Sequence, residues 1–290
     1  MAKATTKGKS VPAPVKKSEP PAKKASSAVA VPATDEEFEK LLSADAGKNK
    51  GTSSKTEDNL VPLVYILQSN SPQVNKRSDA YIEGAEAGDI WLRHAAEPIV
   101  KGDEGVVFLP CYFFKDYVEW IPRDDGGGMV GRHPELPEEA EVQHDEKRPN
   151  RVINKMPNGN DLILTANHAG FVITDEGRAL PYMIPLKSTG LTVSRAWMFM
   201  MNQKLSVEGK PLASYSHKYR LTTKHRKNKE GEWFVLDVTD EGRLTAADKE
   251  LYMMGRALEA AFASGEKRGE EEVHAGQTGP STGGDDNDTM

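Results

Sequence analysis

The chain has almost no cysteine. One thiol in 290 residues, Cys111, rules out an internal disulfide and a cysteine-based zinc site. Cys111 lies in the apolar run VVFLPCYFF. A buried structural thiol is the expected role there, and a reactive thiol is the alternative. No apolar run reaches the ~20 residues that a bilayer-crossing helix needs. Lysines near Met1 are followed by no apolar signal core. These absences point to a soluble protein of a reducing compartment. Hydrophobic residues make up 37% and aromatic residues 7%, which is low for a chain folded from end to end.

Catalytic motifs are missing too. There is no serine nucleophile elbow and no carboxylate pair in a catalytic context. Three successive glycines, Gly126 to Gly128, sit between acids and the pair Arg132/His133. A phosphate-cradling loop needs a helix after it and a Lys with Ser or Thr, and none follows. The stretch reads as a surface loop, or as a mobile loop that brings Trp120, Arg123 and Arg132 to a ligand. His133, His144 and Asp145 match no metal-ligand spacing. Ser188, Thr189, Ser194 and Arg195 lie where a helix begins, so they can cap it or hold an anion. The expectation is a protein that is not an enzyme and holds no cofactor or metal.

The two ends are the compositional extremes. Residues 1–31 hold seven lysines, one acid (Glu19) and no aromatic residue. Such a segment cannot bury enough apolar surface to offset the entropy of ordering. It is expected to be disordered, either as a solubilising leader or as a basic arm on nucleic-acid backbone. A short helix is expected over 34–43, where Thr34 and Glu37 form a capping box. Residues 270–290 carry six acids and no Lys or Arg. The domain boundaries expected are therefore 1–59 (basic arm with the short helix), 60–265 (globular, β-rich) and 266–290 (acidic tail).

Within the middle, LVPLVYILQS, GVVFLPCYFFKDYVEW, DLILTANHAGFVIT and ALPYMIPLKST read as strands. LTVSRAWMFMMNQKL reads as a helix with Val193, Trp197, Met200, Met201 and Lys204 on one face, capped by Thr192 or Ser188. A final helix is predicted with Leu251, Met254, Leu258, Ala261 and Phe262 on its apolar face, Thr245 at its cap and Gly265 at its end.

The net charge is -6, yet one predicted hairpin, SYSHKYRLTTKHRKNKEGEWFVLDV, is crowded with cations. Alternation places Tyr219, Leu221 and Thr223 on one side of its first strand. Lys218, Arg220, Thr222 and Lys224 lie on the other. His225, Arg226, Lys227 and Lys229 crowd the turn. A polyanion would neutralise such a row and release counterions, and Trp233, Tyr215 and Tyr219 could stack on bases. The bland reading is a solvated strand face. An acidic tail can shield a cationic groove or dock on a partner's basic patch.

The order of segments completes the reading. VYILQSNSPQVNKRSDAYIEGAEAGDIW, VVFLPCYFFKDYVEWIPRDDGGGMVG, IPLKSTGLTVSRAW and YRLTTKHRKNKEGEWFVLDV before a last helix resemble a family of tailed-bacteriophage proteins, over about Val61 to Gly265. The long basic arm is not a feature of that group. The resemblance implies kinship with phage single-stranded-DNA-binding or recombination-accessory proteins. The expected fold is α+β and β-dominated: an elaborated five-stranded barrel of the oligonucleotide-binding type with a C-terminal helix and disordered tails. The expected function is non-sequence-specific single-stranded-DNA binding in phage replication or recombination, in the cytoplasm of the infected bacterial host. Lys218, Arg220, Lys224, Arg226 and Lys227 would track phosphates, with Tyr219 and Trp233 stacking on bases. Trp120, Arg123 and Arg132 would flank the loop. Expected partners are single-stranded DNA and, through the acidic tail, replication or recombination proteins; homo-oligomer formation is left open. The alternative is a virion structural or assembly protein.

Overall fold

The computed structural model describes Lys40 and residues 60–122, 125–144, 152–229 and 231–269. The chain divides into two units, Met1–Ser53 and Ser54–Met290. Lys40, inside the expected short helix, is helical; everything below belongs to the second unit. The basic arm, the rest of that short helix, Arg123, Asp145 and residues 270–290 of the acidic tail lie outside the described residues.

The order is β1 (Val64–Ile66), β2 (Ile90–Leu92), β3 (Ile99–Val100), β4 (Val106–Trp120), β5 (Met129–His133), β6 (Glu141–His144), β7 (Val152–Lys155), β8 (Asp161–Ile173), β9 (Ala179–Lys187), α1 (Gly190–Asn202), β10 (His217–Lys227), β11 (Glu232–Arg243) and α2 (Lys249–Ala263). One sheet runs β11-β10-β4-β8-β7-β6, with β5 on β4 and β9 on β8; β1-β2-β3 form a small second sheet. The five long strands lie in the spatial order β9-β8-β4-β10-β11. Three consecutive long strands pair in turn, and the fourth, β10, returns beside the first. This is a Greek key. Strands β5, β6 and β7 all come from the connection between β4 and β8. The sheet curls into a half-barrel, and the protein is β-dominated as expected.

The open side of the curl lies between β9 and β11. Residues 61–68 run through it. Leu63 bridges Met183 of β9 in parallel, and the Met183 amide donates to the Pro62 carbonyl at 2.9 Å. At the other end Gln68 takes the role of a backbone unit. Its Nε2 donates to the Phe234 carbonyl at 3.0 Å, and the Phe234 amide donates to its Oε1 at 2.9 Å.

β4 positions both faces. Its register shifts between Pro110 and Tyr112, leaving Cys111 as the extra residue of a bulge. Opposite lies Gly170, where an added Cβ would stand 2.1 Å from the Leu109 carbonyl oxygen. Only glycine permits that approach. One face carries Phe108, Val172, Ile184, Tyr219, Leu221 and Trp197 of α1. The other carries Leu109, Cys111, Ala169, Phe171, Met183 and Leu258 and Phe262 of α2. Each Leu, Ile, Val, Phe or Met among them contributes about 1.5–3 kcal/mol on burial.

The helices differ in detail from the predicted faces. α1 buries Ser194, Trp197 and Met201. Its N-cap is Thr189, without a side-chain cap bond, rather than Thr192 or Ser188. α2 buries Gly255, Leu258 and Phe262, while Met254 is 36% exposed. Thr245 forms a reciprocal capping box with Asp248 on the 3-10 turn Ala246–Asp248 that leads into α2, whose own N-cap is Asp248. Cys111 is buried, as read from its apolar run, and burial pushes its thiol far above the usual range. The paired body reaches Gly269, four residues past the predicted boundary of 265, through a parallel bridge to Val61.

Candidate nucleic-acid interface

β10 and β11 form the predicted hairpin, from His217 opposite Arg243 to Lys227 opposite Glu232. The expected alternation of β10 is present. Tyr219 and Leu221 are fully buried. This removes Tyr219 as a base-stacking residue. Its ring lies edge-on to Trp197 with centroids 5.7 Å apart, and burial raises its hydroxyl pKa strongly. A ring locked in the core has no face for a base.

The cations of the other side each meet an acid. Lys218 pairs with Asp248 at 3.3 Å and Lys224 with Asp237 at 2.8 Å. Arg220 pairs with Glu241, and Lys227 with Glu232, which also takes His225 at 3.1 Å. These acids come mostly from β11, whose residues Asp237, Glu241 and Glu232 lie across the ladder. Lys227, then His225, hold the Glu232 carboxyl below its ordinary range. The charge row is therefore a ladder of cross-strand ion pairs, stable without an external polyanion. Arg226 is the exception on β10: it is exposed, has no acid partner among the described residues, and lies opposite Trp233.

A second arrangement gathers three of the predicted residues. Trp120, Arg132 and Trp233 line one cavity of about 140 Å³ with Lys187. Its walls come from β1, the ends of β4 and β9, β5, the start of α1 and β11. Arg132 and Lys187 are its only charged lining residues among those described. The Lys187 ammonium lies 4.5 Å from the centroid of the Trp120 ring, a cation–π contact. Sequence reasoning missed Lys187. The available signal was a lone lysine ending the strand ALPYMIPLK just before a helix start.

Arg132 is held from beneath. Its Nη1 donates to Asp116 Oδ2 at 2.5 Å, and Asn167 Nδ2 donates to Asp116 Oδ1 at 2.8 Å. Asp116 and Asn167 are buried, so the guanidinium has a fixed orientation. Among the described residues its Nε has no hydrogen-bond partner; nor have Trp120 Nε1 and Trp233 Nε1, and all three atoms are buried. An unpaired buried donor costs about 1–3 kcal/mol. Trp120, Trp233, Arg132 and Lys187 together give the cavity two indoles and two cations, a lining suited to a ligand with flat faces and negative charge.

The neighbouring stretch has structural roles. Gly126, Gly127 and Gly128 have φ of 105°, 67° and 119°, conformations that favour glycine. They turn β4 into β5 and so place Trp120 and Met129 at the cavity. His133 contacts Glu119 at 2.8 Å, and Asn160 donates to the same carboxylate at 2.6 Å. Burial pushes the Glu119 carboxyl up, but hydrogen bonds from Asn160, His133 and Asn158 outweigh it and hold the carboxyl below its ordinary range. Among the described residues no His/Cys/Asp/Glu cluster could hold a metal. Ser194 is not at the cavity: it is buried, 2.8 Å from His168 Nε2.

Curled Greek-key sheet and aromatic groove define a β-dominated protein with a single elaborated half-barrel. Residues 33–268 match the family model of the Pam3 phage gp34-like protein, and the chain belongs to that bacteriophage family. The match begins before the expected domain start and takes in the region of the short helix. No curated protein and no solved structure matches the chain. Among the described residues no helix is long and apolar enough to cross a membrane.

Proposed function

We propose that the chain binds single-stranded DNA without sequence preference in phage replication or recombination, and that the half-barrel is an elaborated oligonucleotide-binding barrel. The observation that carries the reading is the cavity. Trp120, Trp233 and Arg132 line it together, with the Lys187 ammonium over the Trp120 ring. In the oligonucleotide-binding barrel the ligand lies against the second and third strands, between the loops that join strands 1–2 and 4–5. Counting the long strands in order, those loops are the β4–β8 connection and the β10–β11 turn. Trp120 and Arg132 flank the first, Trp233 the second, and Lys187 ends the third strand. The strand order and the cavity lining both support this reading.

In this reading bases stack on the two indoles, each worth about 1–3 kcal/mol. Arg132, Lys187 and Arg226 meet phosphates or base acceptors. The paired cations Lys218, Arg220, Lys224 and Lys227 shape the hairpin and contribute little net charge. The role is binding without a catalytic step, in the host cytoplasm, with replication or recombination proteins as partners of the acidic tail.

A fluorescence-anisotropy titration tests it, with a labelled single-stranded oligonucleotide and its duplex at two salt concentrations. Preference for the single strand supports the reading. Absence of binding to either at low salt contradicts it and favours a virion assembly role, for which copies in purified particles are the readout.

A further inference from the structure

The cavity sets charge and flat rings side by side. The Lys187 ammonium lies 4.5 Å from the centre of the Trp120 ring. Arg132 comes to the same space from β5 and Trp233 from β11. A molecule that meets both the ammonium and an indole here carries negative charge next to a flat ring. A free base lacks the charge and inorganic phosphate lacks the ring; a nucleotide has both. Lys187 and Arg132 are half-buried, so a phosphate on them keeps contact with water, and its charge is not fully desolvated.

The apolar walls set the size. Val118, Ile184, Leu186 and Leu236 line the cavity and are buried. Its volume is about 140 Å³, close to the roughly 150 Å³ of an apolar cavity that holds one benzene ring. One six-membered ring therefore fills it. The fused second ring of a purine adds atoms that a close-packed space takes only with strain. Trp120 and Trp233 border this one ring-sized space, so they serve one base together rather than one each.

We propose that the cavity is a single-nucleotide site: it takes one pyrimidine base against its indoles, with the phosphate of that nucleotide on Lys187 and Arg132, and it disfavours purines. The proposal rests on the DNA-binding reading of the same cavity for the strand that carries the nucleotide. On such a strand one unstacked base enters at a time, and base class rather than sequence is selected.

The test uses the full chain, followed through the nuclear magnetic resonance signals of its indole N–H groups. Four tryptophans give four signals, and Trp120→Phe and Trp233→Phe assign two of them. The probes are thymidine monophosphate, deoxyguanosine monophosphate and thymidine, with the anisotropy of a labelled oligothymidylate measured alongside. Thymidine monophosphate is expected to shift the Trp120 and Trp233 signals to saturation. Trp91 and Trp197 do not line the cavity, and their signals stay in place. Deoxyguanosine monophosphate binds at least about 5-fold more weakly, the cost of overfilling the space. Lys187→Gln lowers affinity for thymidine monophosphate about 5-fold and leaves that for thymidine unchanged, which shows that the pocket is intact. Equal affinity for the two mononucleotides overturns the proposal. So does oligothymidylate binding without any shift of Trp120 and Trp233 by thymidine monophosphate, which leaves the DNA-binding reading standing. Saturable, thymidine-selective shifts without oligothymidylate binding sustain the nucleotide site and refute the DNA-binding reading.

Discussion

Gln68 and Phe234 exchange two hydrogen bonds, from the Gln68 amide to the Phe234 carbonyl and from the Phe234 amide back to the Gln68 oxygen. The side chain thereby imitates a strand residue on the free edge of β11. It ties the segment after β1 to the sheet across the open side of the curl. Replacing Gln68 by Leu leaves both Phe234 backbone groups without these partners. The expected loss is about 1–3 kcal/mol of stability, read as a lower urea midpoint. Trp233 and Phe234 line the cavity, so ligand affinity falls with it. An unchanged midpoint would show that the tie is not a structural one.

The hairpin answers why an acidic chain concentrates cations on one strand. Asp237, Glu241, Glu232 and Asp248 already neutralise them. The variant R220Q/E241Q/K224Q/D237N, which removes two cations together with their acids, is therefore expected to bind a single strand within about threefold of wild type, because the net charge of the hairpin is unchanged. A loss of a hundredfold would restore the hairpin as the phosphate track.

Salt dependence carries the same distinction. If Lys187, Arg132 and Arg226 are the phosphate contacts, log K falls against log salt with a slope of about -2, from about -0.7 per neutralised phosphate of a single strand. Adding Lys218, Arg220, Lys224 and Lys227 as contacts would make it about -5. Titrations over a range of salt concentrations separate the two.

His168 makes stability depend on pH. It is fully buried, stacked on Trp197 with centroids 4.4 Å apart, and burial lowers its pKa from 6.5 to about 3. The unfolded chain binds this proton below about pH 6.5 and the folded chain does not. Stability therefore falls as pH drops from 6.5 towards 3, by up to about 1.4 kcal/mol per pH unit from this group. His217, also lowered chiefly by burial, acts in the same direction. His168→Asn should flatten the urea midpoint against pH between about 6.5 and 4.5. A slope identical to wild type would contradict the assignment.

Local pattern carried much of this fold. The period-2 alternation of His217–Lys227 placed Tyr219 and Leu221 inside, and the thiol of Cys111 was readable from its apolar run. Thr245 was legible as a capping residue before the last helix, though the turn it caps precedes that helix. What stayed hidden depends on pairing between distant segments. Nothing near Lys218, Arg220 or Lys224 in the sequence says that Asp248, Glu241 and Asp237 lie within reach. Proposing Tyr219 as both a core residue and a stacking platform overlooked that one ring cannot do both. Lys187 meets Trp120 only because β9, β8 and β4 are neighbours. Gln68 finds Phe234 across 166 positions, beyond any local signal. Trp120, Arg132 and Trp233 were legible as residue types; that they share one cavity was not.

The central claim is that the Trp120–Trp233 groove holds the single strand. The most direct measurement is oligothymidylate affinity by anisotropy for Trp120→Ala, Trp233→Ala and the double variant, beside wild type, with circular dichroism to verify the fold. The account predicts a loss of about 1–3 kcal/mol for each indole, roughly 5- to 150-fold in affinity, and a larger loss for the pair. A folded double variant that binds as tightly as wild type would contradict it.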